Sequence, residues 1–335
     1  MMINRETFFD YASGNPFFKI DLKDTECLGN PSASYFAVND LVEMIRDTKD
    51  LIRELFGCNS DDEIIFTSGA SESNSLALQE PFECSIYNHA SIKENPHRVD
   101  YSPYKAVTLV DSELGKIHDI HNASHIDVTQ AVDLFVNKDY SFKDLKANTL
   151  SFSGYKIGAL QGIGVLIVKK DYFKELKPLI YGKQQNGLRG GTLNTLGILS
   201  LKRALEFRKT NSPTYFLQKY VIPYTSMSKL KDYGVEIVDH EKTNIALLNF
   251  TNCKLVKNYD VESLMHIFEI FGIICGIGSA CNGNNKSEVY TKEFGENYKI
   301  IRFSIDRYEN SGSEVYKALN KILDFLEKED KTNGK

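Results

Sequence analysis

Ser151-Phe152-Ser153-Gly154-Tyr155-Lys156 is followed, after a short loop, by the glycine-spaced apolar run Gly162-Ile163-Gly164-Val165-Leu166-Ile167-Val168. A lysine on a turn of Ser, Gly and Tyr between two strands that read as buried is poorly placed for a solvated surface charge. Burial disfavours the ammonium, lowers the lysine pKa and frees its lone pair for attack on a carbonyl carbon. Lys156 therefore reads as the attachment point of an aldehyde cofactor, with a surface lysine as the ordinary alternative.

Outward from this stretch, short apolar runs rich in β-formers alternate with helical or loop segments. Strands are expected at 63–66, 84–87, 106–110, 125–127, 149–152 and 164–168. Asn39 to Gly57 reads as a helix, capped by Asn39, with apolar residues at a 3.6 period and Gly57 at its end. This alternation predicts an α/β domain with a mainly parallel sheet. Past Thr195 the pattern changes. A helix at 196–208 leads into 220–233, and with helices at 261–271 and 313–326 and strands at 245–250, 273–277 and 300–304 this reads as a smaller α+β domain; residues 328–335 read as a frayed tail. The expected division is a large domain over 15–200 and a small one formed by 1–14 and 201–335.

At 335 residues the chain is long enough for two domains, and 42% hydrophobic with 25% charged residues is ordinary for a globular protein. A net charge of -5 gives no electrostatic footprint for nucleic acid. No apolar run reaches the roughly 20 residues that span a bilayer, and residues 1–6 lack a signal-peptide pattern, so the expectation is a cytoplasmic protein with no membrane or direct nucleic-acid partner. Six cysteines without CxxC spacing argue against a disulfide framework or structural zinc. His118, His121 and His125 lie close together but without cysteine partners, and read as a polar loop before a strand, so no metal is expected.

Five further segments carry chemistry. Phe66 to Glu72 reads as strand–turn–helix, and a small-residue turn opening a helix aims free N–H groups of residues such as Ala70 and Ser71 at an anion; an ordinary capped helix is the alternative. His89 follows a strand in Tyr87-Asn88-His89-Ala90-Ser91. Asp127 sits at a strand end in His125-Ile126-Asp127-Val128-Thr129-Gln130, where open α/β sheets bind ligands and where a carboxylate can hold a pyridine nitrogen protonated. Arg302 lies in the apolar strand Ile300-Ile301-Arg302-Phe303-Ser304, and its planar fork suits a carboxylate. Cys281 lies in the polar loop Gly276-Ile277-Gly278-Ser279-Ala280-Cys281-Asn282-Gly283, whereas Cys275 reads as core.

Taken together and in this order, from Gly29-Asn30-Pro31-Ser32 to Ser304, these segments resemble the NifS/IscS-type cysteine desulfurases of the class V aminotransferase fold. The resemblance implies a pyridoxal 5'-phosphate-dependent transferase of fold type I, aspartate aminotransferase-like, with a large cofactor domain and a small domain carrying the cysteine loop. It implies that Ala70, Ser71, Ser153 and Tyr155 contact the phosphate, that His89 stacks on the ring and can shuttle protons, and that Asp127 and Gln130 meet the ring nitrogen and phenolic oxygen. Lys156 then holds the cofactor, and Arg302, with Asn30, binds substrate. Thr192, in Leu188-Arg189-Gly190-Gly191-Thr192, reaches the cofactor of a second copy in a homodimer. Cys281 is the nucleophile that takes sulfur from L-cysteine, releases L-alanine and passes the persulfide to an acceptor or scaffold protein, as in iron–sulfur cluster assembly. The chain departs from the family pattern at Ser71 (Thr), Asn88 (Glu), Tyr155 (His), Asn186 (Arg) and Asp111-Ser112 (Asn-Asn), and it is shortened over 89–127 and after Cys281. Alternative readings are a selenocysteine lyase or aminotransferase of the same fold, or a non-catalytic sulfur-transfer subunit.

Overall fold

The computed structural model describes residues 7–15, 29–34, 39–211, 224–278, 286–305 and 312–333. In chain order the strands are β1 (Phe8–Phe9), β2 (Glu63–Thr67), β3 (Ala106–Thr108), β4 (His125–Asp127), β5 (Thr149–Ser153), β6 (Gly164–Val168), β7 (Glu236–Asp239), β8 (Ile245–Asn249), β9 (Ile274–Cys275) and β10 (Ile300–Ser304). The helices are α1 (Asn39–Phe56), α2 (Ala70–Ala77), α3 (Ala90–Lys93), α4 (Val132–Val136), α5 (Lys170–Phe173), α6 (Thr195–Thr210), α7 (Tyr224–Asp232), α8 (Val261–Ile270), α9 (Glu288–Phe294) and α10 (Gly312–Asn333). Among the described residues no helix is long and apolar enough to cross a membrane.

The chain divides into two compact units: a larger one of Gly14–Asp111 and His118–Ser212, and a smaller one of Met1–Ser13, Ser112–Ile117 and Pro213–Lys335. The expected boundary after residue 200 falls inside α6, which packs against α1 as one piece. Its buried Ile198, Leu201 and Leu205 lie on both sides of that point, so dividing the helix there would split one apolar face. Residues 112–117, a short stretch inside the expected large domain, belong to the smaller unit.

The larger unit is built on a five-stranded sheet in the order β2-β6-β5-β4-β3. The β3–β4 and β4–β5 pairs are parallel, whereas β6 is antiparallel to both β2 and β5. Four strands therefore run one way, and β6, buried along its whole length, runs against them. Helix α1 buries Leu41, Ile45, Ile52, Leu55 and Phe56, and Phe56 stacks on Phe152 and Phe135 with ring centroids 4.9 and 5.2 Å apart. Gly57 follows at φ 62°, a left-handed position that ends the helix. Strand β2 is outermost, and the side chain of Gln185 lies along it: Oε1 accepts from Phe66 N (2.7 Å) and Nε2 donates to Phe66 O (2.8 Å).

The expected strand at 84–87 is absent. Phe82 and Glu83 make only isolated bridges, to Arg98 and Lys105. Asn88 then folds its side chain back, Oδ1 accepting from Ser85 N (3.1 Å) and Oγ (3.0 Å), and this local turn competes with strand pairing.

The smaller unit has a three-stranded antiparallel sheet, β10-β8-β7, and the parallel pair β1-β9. Bridges Asp10↔Ser304 and Gly276↔Arg302 tie the pair to β10. Phe9, Leu248, Phe250, Phe268, Phe303, Leu319 and Leu323 form its core. β1, β7 and α9 were not expected; Ser287 caps α9, its Oγ accepting from Tyr290 N at 3.0 Å. The tail expected to fray from residue 328 is helical to Asn333, because Glu327-Lys328-Glu329-Asp330-Lys331 is made mostly of good helix formers.

Candidate active site

Because β2, β3, β4 and β5 share a direction, their C-terminal ends open on the same edge of the sheet. Thr67 and Ser153 both pair with Gly164, and Ser151 and Thr108 both pair with Asp127. The segments that leave this edge carry Ala70 and Ser71 after β2, Gln130 after β4, and Tyr155 with Lys156 after β5; Asp127 and Ser153 are the last residues of their strands. His89 joins them through its N–H, which donates to Thr108 Oγ1 (3.0 Å) at the end of β3. Residues scattered over about ninety positions thus converge where ligands bind in open α/β sheets.

Gly69 precedes α2 with extended backbone and gives the helix no side-chain cap. The first-turn N–H groups of Ala70 and Ser71 are thereby left for an anion, and Ser71 is exposed. Gly164 makes this turn possible: a Cβ there would lie 2.4 Å from Gly69 Cα and C. Glu72 is taken up by Arg189, Oε1 to Nε at 2.9 Å. Burial raises the Glu72 carboxyl, but hydrogen bonds from Arg189 and Ser68 outweigh it and hold the group below the usual carboxylate range.

Asp127 is 2% exposed. Its Oδ2 accepts from Asn74 Nδ2 and its Oδ1 from Thr129 N, both at 2.9 Å. Among the described residues no cation pairs with it, and half of its lone-pair capacity is unused. Its neighbour His125 does not supply the charge, since burial lowers that imidazole to about 4, against the pull of Asp127. A buried carboxylate without a counter-cation is costly. A protonated pyridine nitrogen supplies the missing cation, so the residues here fit pyridoxal phosphate.

Lys156 is half-buried on the single 3-10 turn Tyr155–Ile157, and Gly158 at φ 88° turns the chain away. The turn is braced from behind by buried Arg208, which donates to Ile157 O and ion-pairs with Asp133 at 3.2 Å. The ring of Tyr155 lies against Gly14, where a Cβ would meet Cε1 at 2.0 Å. Ser153 N donates to Thr129 Oγ1 (3.3 Å), joining the ends of β5 and β4. Thr192 is exposed on the loop before α6. Asn30 is exposed on a turn, its Oδ1 accepting from Ser32 N (3.0 Å), and among the described residues its side chain bonds to none of the other site residues. Asp111 is buried and bonded to His118 Nε2 (3.0 Å), whose ring stacks on Tyr87. His121 is exposed and His125 is buried inside β4, so the three histidines have three separate environments. Among the described residues no group is set to hold a metal.

In the smaller unit Arg302 is 1% exposed. Nη2 donates to Asp10 Oδ1 (2.5 Å) and Ser13 Oγ (3.2 Å), and Nη1 donates to Ser112 O (2.7 Å). Its Nε is buried without a hydrogen-bond partner. Arg302, Asp10 and Ser13 belong to the wall of a cleft of ≈ 770 Å³ that also includes Lys299, Gly278 and Lys286. Cys281 lies outside the described residues; Gly278 and Lys286, which flank its stretch, both line this cleft. Burial pushes the Cys58 thiol up to about 12, and likewise raises Cys84, Cys253 and Cys275. None of these four has the lowered pKa of a nucleophile.

Sequence reasoning missed Asn74, Ser91, Thr108, His125, Thr149 and Ser151 around Asp127, and Asp10 beside Arg302. One signal was available: Ala70, Asn74 and Ala77 share a helical face, and a polar residue on a buried face needs partners.

The aminotransferase class-V family model matches residues 23–92 and 89–316. The chain is similar to the cysteine desulfurase IscS of Dictyoglomus turgidum, 25% identical over 392 residues that cover 97% of this chain and 95% of that protein. Cysteine desulfurase 2 of Trichormus variabilis is 25% identical over 358 residues, covering 91% and 87%. The fold is similar to the X-ray structure of a NifS-like protein from Rickettsia africae, with a TM-score of 0.72, 21% identity, and coverage of 95% of this chain and 99% of that one. It is also similar to a structure described as SspA in complex with cysteine, with a TM-score of 0.70, 23% identity, and coverage of 90% and 99%.

Proposed function

The chain belongs to the aminotransferase class-V family, whose chemistry is pyridoxal-phosphate-dependent, and on that premise we propose that it is a cysteine desulfurase acting on L-cysteine. The observation that carries the reading is the uncompensated buried carboxylate of Asp127, on the same sheet edge as the turn of Lys156. The curated relatives over almost the whole chain, named cysteine desulfurases, support the choice of reaction.

Bound pyridoxal phosphate supplies the electron sink for a carbanion at the substrate's Cα. Asp127 keeps the ring nitrogen protonated, and the first turn of α2 with Ser71, Ser153 and Tyr155 holds the phosphate. Arg302 binds the substrate carboxylate. Lys156 Nζ takes the Cα proton. Cys281 Sγ, as thiolate, attacks the substrate sulfur; the Cβ–S bond breaks, its electron pair takes up a proton at Cβ, Lys156 returns its proton to Cα, and a persulfide stays on Cys281 while the carbon skeleton leaves as alanine.

The reading includes a homodimer with Thr192 reaching the second copy's cofactor, a protein acceptor for the persulfide, and a reducing, cytoplasmic setting. The free state of Cys58, Cys84, Cys253 and Cys275 supports the last. The test is incubation of purified protein with pyridoxal phosphate and L-cysteine, measuring alanine and sulfide. Lys156→Ala should lose both products and the colour of the bound cofactor. Cys281→Ala should keep the colour and lose sulfide, and undiminished sulfide from this variant would remove Cys281 as the nucleophile. Alanine formed only when a keto acid is supplied would point to an aminotransferase.

A further inference from the structure

Asn74 lies fully buried on α2, and its side-chain amide makes four hydrogen bonds, which is all that an amide can make. The amide nitrogen is the end that faces the Asp127 carboxylate. Nδ2 then donates to Asp127 Oδ2 and to Ser91 Oγ, each at 2.9 Å. The amide oxygen faces the opposite way and can only accept, from Ser151 Oγ and from His125 Nε2 at 2.9 Å. That fixes the proton of His125 on Nε2 and makes its Nδ1 the acceptor for Thr149 Oγ1 at 2.8 Å. Ser91 Oγ, having accepted from Asn74, turns its own proton to His89 Nδ1 at 2.9 Å, where Ser91 N also donates at 3.2 Å. His89 Nδ1 therefore accepts twice, and the ring carries its proton on Nε2.

The bonds run in one direction, from Thr149 through His125, Asn74 and Ser91 to His89, with one branch to Asp127. We propose that Asn74 is the positioning residue of this site, aiming the Asp127 carboxylate at the cofactor nitrogen and, through Ser91, holding His89 as a donor at Nε2. This rests on the pyridoxal-phosphate reading given above. Two groups that act on opposite features of the cofactor are thereby set by one buried amide. His89 then gives a hydrogen bond from Nε2, and its Nδ1 is not available as a base.

Nitrogen-15 NMR of the imidazoles in the full-length, cofactor-free chain tests the tautomers, with His89→Gln and His125→Gln assigning the two signals among seven histidines. A parallel titration measures the Kd for pyridoxal phosphate. The wild type should show both rings as the Nε2–H form. Ser91→Ala removes the hydroxyl donor to His89 Nδ1 and leaves the backbone N–H of Ser91 as its one donor: the His89 Nδ1 signal should move toward that of a less hydrogen-bonded acceptor nitrogen, His125 should stay, and the Kd should change less than about twofold. Asn74→Ala should release His125 from the Nε2–H form and weaken cofactor binding by about tenfold or more, the loss expected for a hydrogen bond to a charged group. An Nδ1–H form of His89 in the wild type, or a His89 signal unmoved in Ser91→Ala, overturns the proposal. Should Asn74→Ala not fold, the Ser91→Ala spectrum decides it alone. Failure of the wild type to bind pyridoxal phosphate would instead sink the cofactor reading, and the tautomer measurement, which needs no cofactor, separates the two.

Discussion

Gly164 and Gly69 meet backbone to backbone where β6 passes the turn ahead of α2, proposed above to hold the phosphate, yet the two glycines should respond oppositely to the same added methyl group. A Cβ on Gly164 would lie 2.4 Å from two Gly69 backbone atoms and 2.8 Å from a third, short of ordinary contact by about 1 Å. Gly164 cannot retreat, since it pairs with Thr67 on one side and Ser153 on the other. Gly164→Ala must therefore push the turn ahead of α2 by about 1 Å, which as overpacking costs roughly 2–3 kcal/mol and lowers the melting temperature of the cofactor-free chain by about 4–10 °C. The same shift carries the N–H groups of Ala70 and Ser71 off the phosphate, and losing one such charge-assisted bond weakens cofactor binding by about tenfold. Gly69 has extended φ and open space at its own Cβ position, so Gly69→Ala should melt within about 2 °C of wild type, a surface-like effect. Thermal denaturation and a titration with pyridoxal phosphate check both. Gly164→Ala with wild-type melting and affinity, or Gly69→Ala as damaging as Gly164→Ala, would refute the steric reasoning.

His125 is held near 4 in the folded chain and is near 6.5 when unfolded. The unfolded state therefore takes the proton first, so stability is full above about pH 6.5 and falls by roughly 3 kcal/mol on going to pH 4; chemical denaturation across that range should show the slope, and His125→Gln should flatten it. Glu72 is depressed in the folded state, so its contribution is present above the ordinary glutamate pKa and is lost as the pH falls through the folded value; Glu72→Gln should lower the denaturation midpoint at pH 7 and narrow the gap between variant and wild type in acid. Asp10→Asn leaves Arg302 buried without its carboxylate. The expected loss is about 3 kcal/mol, the low end for a broken buried pair, because Asp10 is 22% exposed; equilibrium unfolding measures it.

Chain-local chemistry was legible before any fold was in hand. The strand ending at Ser153, the turn bearing Lys156 and the strand-end Asp127 all announce themselves within a few residues, because alternation and turn chemistry are local signals. An arginine inside Ile-Ile-Arg-Phe also reads correctly as buried. What escaped was everything joined across the chain. His125 looks like a loop histidine until Thr149 and Asn74, 24 and 51 positions away, satisfy its two nitrogens. The carboxylate beside Arg302 lies 292 positions away. Strand direction escaped as well, since the apolar run at 164–168 is equally suited to pair parallel or antiparallel. Residues 84–87 misled because β-propensity was read without the turn that Asn88 makes.

Gln185 lies where a sixth strand would add to the sheet, its amide already satisfying both main-chain groups of Phe66. An incoming strand would have to evict that amide and would gain no new bond at Phe66 for doing so. This flank is thus closed to sheet extension at Phe66, near the C-terminal end of β2, as a plug closes a socket. Any protein approaching from this side must be recognised at Phe66 by the shape and charge of surface side chains, so binding here can be retuned by point substitutions without touching the main-chain pairing of the sheet.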